Sequence, residues 1–206
     1  MQYLDSNKLS WVEVDKLPDN LIQYSNENFD KMFSYHPDSR AKVIMYDKEV
    51  DCHRWQQSYL HTPKYRNLVN TSYMFCGKNS DIKDTLPDEF QVLFDHVNTN
   101  LYNQVTINWY DDGNDYIAYH SDYTTGLNTT DILVVNLVKN EDQLRKFCIK
   151  PKSKNFNYLN RKVEIPLYNG TIIKMCGDTQ LEFRHGVPKV KDAPKRISLS
   201  FRSYST

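Results

Sequence analysis

Three residues in the second half of the chain have the chemistry to hold a metal. In His120-Ser121-Asp122 the histidine and the aspartate are two positions apart. In an extended segment both side chains then leave the same face, and an imidazole and a carboxylate can grip one ion. His185, in Phe183-Arg184-His185-Gly186, lies 63 residues beyond Asp122, between predicted strands. Two imidazoles and one carboxylate, with the second imidazole supplied from far along the chain, make a facial set that leaves open positions on non-haem Fe(II). A second His-x-Asp, His36-Pro37-Asp38, follows a predicted helix, and its proline favours a turn, so it reads as structural. Near the end of the chain Arg196 and Arg202 share one strand face with Ser198 and Ser200, while Ile197, Leu199 and Phe201 make the other face apolar. That pattern points two cations into a cavity, the alternative being a polar face in water. Asn108 and Tyr110 share a face of an earlier strand in the same way, and a guanidinium can bind a carboxylate through two parallel hydrogen bonds.

Strands must hold most of these side chains. Val105, Ile107 and Trp109 alternate with Thr106, Asn108 and Tyr110 over Gln104–Tyr110, the two-residue period of a strand. Further short β-rich runs are Ile132–Val138, Lys146–Ile149, Val163–Leu167, Thr171–Met175 and Arg196–Arg202. Before them, Phe90, Leu93, Phe94, Val97 and Leu101 recur at helical spacing after Leu86-Pro87. Pro87 suits the first helical turn, and Asp88 and Glu89 suit the positive end of the helix dipole. A weaker helix is expected over about residues 21–33. Helices first and many short strands later predict an α+β chain around an antiparallel barrel or jelly roll.

Length and composition narrow the class. The 206 residues, 39% of them hydrophobic, suit one domain with a real core. No run approaches the ~18 apolar residues of a membrane helix, and the opening MQYLDSNKLSWVEV has no signal-peptide pattern. Cys52, Cys76, Cys148 and Cys176 are scattered without a CxxC, and Cys52 and Cys76 read as inert buried thiols. The expectation is a monomer in a reducing compartment, cytoplasm or nucleus, without membrane association; a secreted disulfide scaffold is excluded. The net charge of zero conceals an asymmetry. Residues 1–138 carry 11 Lys and Arg against 20 Asp and Glu, and residues 139–206 carry 15 against 6, so the parts are −9 and +9. Arg145, Lys146, Lys150, Lys152, Lys154, Arg161 and Lys162 are interleaved with Phe147, Phe156 and Tyr158. Such a strip suits a polyanion that offers rings to stack on, or else the solvated face of a hairpin.

Three segments, in order and spacing, resemble the AlkB-type dioxygenases. Asn108-Trp109-Tyr110, leading through Asp111-Asp112-Gly113 to His120-Ser121-Asp122, is similar to the family's N-x-Y…H-x-D segment. Gly177–Val187 resembles its distal-histidine segment, and Arg196-Ile197-Ser198-Leu199-Ser200-Phe201-Arg202 resembles its closing R-x-N-x-T-F-R strand. With a less specific likeness at Ser72–Gly77, the resemblance covers about residues 71–202. It implies an α+β fold with a double-stranded β-helix (jelly-roll) core, amino-terminal helices and a substrate lid. The expected organisation is a single domain over residues 1–206, with about 1–70 as extension and lid and about 71–206 as catalytic core. It also implies Fe(II) held by His120, Asp122 and His185, and 2-oxoglutarate as cosubstrate held by Asn108, Tyr110, Arg196, Ser198 and Arg202, with O2 as oxidant. The implied activity is oxidative demethylation of alkylated bases in DNA or RNA, releasing succinate, CO2 and formaldehyde.

Two departures bear on that activity. Ser198 stands where the closing strand has asparagine, which removes an amide from the cosubstrate site and predicts weaker binding. Thr124, after Tyr123, stands where the nucleic-acid dealkylases of the family commonly place an acidic residue near the target base. Tyr123 and Thr124 remain candidate substrate residues, together with Trp55 and Tyr59, which with Tyr46, His53 and Tyr65 offer stacking surfaces for an extruded base. The alternative is that Trp55 and Tyr59 pack a local core. The expected partner is methylated nucleic acid, single-stranded because extrusion costs least there. A protein side-chain hydroxylase or demethylase of the same superfamily is the nearest rival. A catalytically silent nucleic-acid-binding module is the third reading, and the intact His120, Asp122 and His185 set argues against it.

Overall fold

The structure, a computed structural model, describes residues 1–45, 48–60, 74–75, 78–79, 82–97, 102–122, 127, 130–153, 158–159 and 162–204. In chain order the elements are β1 (Gln2–Tyr3), β2 (Ser10–Lys16), α1 (Asp19–Ser34), the hairpin β3 (Lys42–Met45) and β4 (Lys48–Asp51), and β5 (Trp55–Leu60). Next come β6 (Met74–Phe75), β7 (Lys78–Asn79), β8 (Ile82–Lys83), α2 (Asp88–Val97), β9 (Gln104–Tyr110) and β10 (Ile117–His120). The last third holds β11 (Ile132–Val138), β12 (Lys146–Pro151), β13 (Val163–Pro166), β14 (Thr171–Gly177), the single turn α3 (Thr179–Glu182), β15 (Phe183–Val187) and β16 (Arg196–Arg202).

Two sheets do most of the positioning. The larger has eight strands in the order β1-β2-β14-β11-β16-β9-β5-β8, and the smaller has four, β10-β15-β12-β13. One hydrophobic cluster joins α1 and α2 to the outer face of the larger sheet through Phe29, Met32, Phe90, Leu93, Phe94, Val105, Ile107, Trp109, Ile197, Leu199 and Phe201. A second fills the space between the sheets, with Val12, Ile132, Val134, Phe147, Ile149, Ile173 and Met175. Each large side chain fully enclosed in this way contributes roughly 1.5–3 kcal/mol. The arrangement is a mostly antiparallel jelly roll, as expected.

The two faces of each central strand explain its sequence. In β16, Ile197, Leu199 and Phe201 lie under the helices, which leaves Arg196, Ser198, Ser200 and Arg202 on the inner face, where they line a cavity. In β11, Val135 and Leu137 face the helices and Ile132 and Val134 face the other sheet. That strand is covered on both sides and reads as a continuous apolar run rather than an alternation. Trp109 closes the contact with α1 by donating its indole N–H to the Met32 carbonyl at 2.9 Å.

The helix expected over about residues 21–33 is α1, with Phe29, Met32 and Phe33 buried on its sheet-facing side, while the rest of the first sixty residues, as far as they are described, is mainly strands rather than further helices. β2 pairs with β14 over seven residues, Ser10–Lys16, and β5 pairs with β9 over Trp55–Leu60, so both belong to the large sheet itself. Cys52, Cys148 and Cys176 are buried thiols, whereas Cys76, Leu101 and most of Ser72–Gly77 lie outside the described residues. No helix among the described residues is long and apolar enough to cross a membrane.

Candidate metal and cosubstrate site

The strand ladder brings the two distant histidines together. β10 and β15 pair so that His120 lies opposite His185, with ring centroids 4.4 Å apart. Asp122, two positions beyond His120, completes a cluster in which one ligand atom of each residue lies within 4.8 Å of the others. Local contacts fix each member. The His120 Nδ1 sits 2.9 Å from the Ala118 carbonyl, so this nitrogen carries the hydrogen and Nε2 is left to face Asp122 Oδ1 at 3.8 Å. The Asp122 backbone N–H donates to Gln180 Oε1 at 2.9 Å, and Phe147 stacks on the His185 ring at 5.3 Å.

Electrostatics set the protonation states a metal needs. Burial, and then His120 beside it, push the His185 imidazole down to about 3, and burial lowers His120 against the pull of Asp122. Both rings are therefore neutral near pH 7, with a lone pair to offer. Burial pushes Asp122 up, but the Arg202 guanidinium beside it, through its charge and its hydrogen bond, outweighs burial and holds the carboxyl below the usual range. Arg202 Nη2 donates to Asp122 Oδ1 at 2.9 Å, and both side chains are only 6% exposed. Two neutral imidazoles and a carboxylate at this spacing fit a divalent metal of the Fe(II) type.

A cavity of about 300 Å³ opens beside the cluster, with Arg54, Asn108, Tyr110, Arg196, Ser198 and Arg202 among its lining residues. Arg196 lies 3.9 Å over the Tyr110 ring, and its buried Nε has no hydrogen-bond partner among the described residues. Burial lowers its pKa to about 10, which leaves it cationic at neutral pH. A cavity lined by Arg54, Arg196 and Arg202, with Asp122 in the metal cluster and exposed Asp51 as its carboxylates, fits a small dianion beside a metal.

Other expectations need correcting. Trp55 and Tyr59, candidates for stacking a substrate base, lie on the helix-facing side of β5. Tyr59 is 2% exposed within the helix-side core, and Trp55 packs against that core. Trp55 stacks on His36 at 4.2 Å, and the Arg40 guanidinium lies 4.5 Å above it. Their four-residue spacing puts both on one face of a strand as well as of a helix, and it is Arg54 and Gln56 that line the cavity. Trp55→Ala is therefore expected to destabilise the protein by about 2–4 kcal/mol through lost packing, and to leave cosubstrate affinity of the folded fraction unchanged; thermal unfolding and binding measurements on the same sample check both parts. Tyr123, Thr124, Tyr46 and Tyr65 lie outside the described residues.

The basic strip is also less open than its composition suggests. Arg145 is 3% exposed and donates to the Asp115 and Asp112 carbonyls, clamping the loop before β10. Phe147 is buried against His185, and Tyr158 packs edge-on to Phe183 at 4.9 Å with its hydroxyl on Glu182. Lys146 and Lys162 both pair with Glu164, while Lys154, Phe156 and Arg161 lie outside the described residues. Alternate residues of β12 point inward, which removes its aromatic ring from the surface.

Sequence reasoning missed Arg54, whose Nε donates to Asn108 Oδ1 at 2.8 Å, and Gln180; neither carries a local signal before the strands are paired. It also missed Asn136, although one amide inside Ile132–Val138 is a legible oddity.

Comparison with known proteins agrees with this geometry. A model of the 2OG-Fe(II) oxygenase superfamily matches residues 18–202. The alpha-ketoglutarate-dependent dioxygenase alkB homolog 3 of Rattus norvegicus is 30% identical over 105 residues, covering 50% of this chain and 35% of that protein. The Bos taurus homolog is 31% identical over 106 residues, covering 50% and 36%. The matched stretch thus spans about a third of the length of these relatives. Among solved structures, a 2OG-Fe(II) oxygenase family oxidoreductase from Burkholderia pseudomallei superposes with a TM-score of 0.54 at 16% identity, over 93% of this chain and 84% of the other. The structure of OsALKBH1 superposes with a TM-score of 0.51 at 14% identity, over 94% and 96%. Those two likenesses speak for the jelly roll, and the family match speaks for its descent: the chain belongs to the 2OG-Fe(II) oxygenase superfamily and is AlkB-like within it.

Proposed function

We propose that this protein is an Fe(II)- and 2-oxoglutarate-dependent dioxygenase that removes methyl groups oxidatively from bases of single-stranded nucleic acid. The observation that carries the oxygenase reading is the His120, Asp122 and His185 cluster, whose ligand atoms lie within 4.8 Å of one another at the edge of the arginine-lined cavity. When bound, Fe(II) with 2-oxoglutarate and O2 supplies the oxidising power that hydroxylates a substrate carbon while 2-oxoglutarate becomes succinate and CO2; a hydroxylated N-methyl group leaves as formaldehyde. The chain's own residues bind and orient. His120, Asp122 and His185 would hold the metal, and Arg202 keeps Asp122 anionic. Arg196, Tyr110, Asn108 and Ser198, on the inner face of the large sheet, line the cavity and would hold the cosubstrate there.

The substrate half of the reading rests on lesser support. The relatives are named dioxygenases of the AlkB type. At the cavity mouth, exposed His53 and half-buried Tyr116 have ring centroids 4.7 Å apart and offer a base the stacking surface that Trp55 and Tyr59 do not. On the smaller sheet Lys150 lies opposite Arg184, a like-charge pair that an anion would relieve. A protein side chain is the second reading, favoured by Thr124 in place of an acid and by the packed positions of Phe147 and Tyr158. Succinate release measured side by side with N-methylated oligonucleotides and with methylated peptides separates the two. Stimulation by single-stranded oligonucleotide is expected. Stimulation by peptide alone would discard the nucleic-acid assignment and keep the oxygenase.

A further inference from the structure

A polar row crosses the large sheet beneath the cavity. Ser198 on β16 is the direct cross-strand partner of Asn108 on β9 and of Asn136 on β11. Asn136 is fully enclosed, at 0% exposure, in a strand whose other residues are all hydrophobic. Its amide is fixed from two sides. The Nδ2 donates to the Leu167 carbonyl at 3.0 Å and to the Tyr168 carbonyl at 2.8 Å, which occupies both amide hydrogens. Oδ1 is thereby turned toward Arg196, whose Nη1 donates to it at 3.0 Å.

The two cavity arginines of β16 are consequently held by different means. Arg202 is paired with a carboxylate, Asp122, and stands at the metal end of the cavity. Arg196 lies between an amide oxygen and the Tyr110 ring, and among the described residues no carboxylate forms an ion pair with it. A neutral amide fixes the guanidinium without cancelling its charge; an aspartate at the same place would satisfy the fork and compete with any incoming anion.

We infer that Asn136 is the positioning residue for the cosubstrate carboxylate remote from the metal: it aims Arg196 while leaving that cation free to bind, and it offers Arg196, from the neighbouring strand, an amide oxygen that Ser198 cannot offer. This rests on the proposal that the cavity takes 2-oxoglutarate. Asn136 does not line the cavity and acts through Arg196 alone.

The test uses the full chain loaded with Mn(II), reading 2-oxoglutarate affinity by calorimetry and Mn(II) affinity by dialysis, with no turnover required. Asn136→Asp, nearly isosteric, should weaken 2-oxoglutarate binding roughly ten- to hundredfold, the scale of one hydrogen bond to a charged group, and leave Mn(II) affinity unchanged. Asn136→Ser should weaken it similarly, and adding Ser198→Asn to that variant should restore most of the affinity by returning an amide to the row. This exchange decides the matter if Asn136→Asp fails to fold. Equal loss of metal and cosubstrate binding would make Asn136 merely structural and overturn the inference, as would single variants that bind 2-oxoglutarate like the wild type, or an exchange that restores nothing. If the wild-type protein binds Mn(II) but no 2-oxoglutarate, the cosubstrate reading itself fails and the inference falls with it.

Discussion

Replacing Asp122 with alanine is expected to abolish 2-oxoglutarate turnover and to remove tight metal binding. The carboxylate is the sole anionic ligand in a cluster with two neutral imidazoles, so its loss removes a donor and the charge that offsets a divalent cation. Changes to residues one step further from a metal already cost about ten- to hundredfold in affinity or activity, and a direct ligand should exceed that. A second consequence follows from Arg202. Its Nη2 loses the acceptor at 2.9 Å, and a guanidinium 5% exposed is left facing two imidazoles. Asp122→Asn separates the effects, because it keeps the shape and the Gln180 contact to the backbone but removes the charge. Bound Mn(II) and succinate release should fall together in both variants. Retention of either at the wild-type level would take Asp122 out of the metal site.

The elements that carry the site were legible in the sequence where one physical demand dominated each face. β16 and β9 alternate between the helix-side core and the cavity, and both were expected with the bounds observed, Arg196–Arg202 and Gln104–Tyr110. β11 was legible because both of its faces are buried, and α2 because Phe90, Leu93 and Phe94 meet the sheet along one stripe. β5 was not. Gln56 lines the cavity and Ser58, on the same face, bonds the Thr106 hydroxyl of β9 at 2.9 Å, so polar residues point inward there and the usual sign of the pattern is reversed. Trp55 and Tyr59 then stand out as an aromatic pair and invite a binding role, when they are that strand's core face. A jelly roll that keeps a polar site in its interior misleads in this way wherever a strand has both a dry face and a wet inner one. The His120 and Asp122 pair escaped the problem because its spacing speaks of ligand geometry rather than burial. His185 was named from its segment's resemblance to the distal-histidine motif, and the β10–β15 register is what brings it opposite His120.

Arg202→Ala is expected to raise the 2-oxoglutarate requirement by well over tenfold, and to do so by a route that Asn136 variants do not share. The guanidinium bridges Asp122 at 2.9 Å and the Thr106 hydroxyl at 3.2 Å, and that hydroxyl is itself bonded to Ser58 and accepts from Gln104 Nε2 at 3.0 Å. Truncating one member of a buried charge pair costs about 2–5 kcal/mol, much of it from stranding the other charge, and the stranded group here is a metal ligand. Metal and cosubstrate affinities should therefore fall together, whereas variants acting at Arg196 should lower cosubstrate affinity alone. Arg202→Lys keeps the charge but not the planar fork that spans Asp122 and Thr106, so it should recover more of the metal affinity than of the cosubstrate affinity. Titrating Mn(II) and 2-oxoglutarate separately against the wild type and the two variants distinguishes these outcomes. Wild-type behaviour in the lysine variant would reduce Arg202 to a counter-charge for Asp122, and an unchanged requirement in the alanine variant would remove Arg202 from the site.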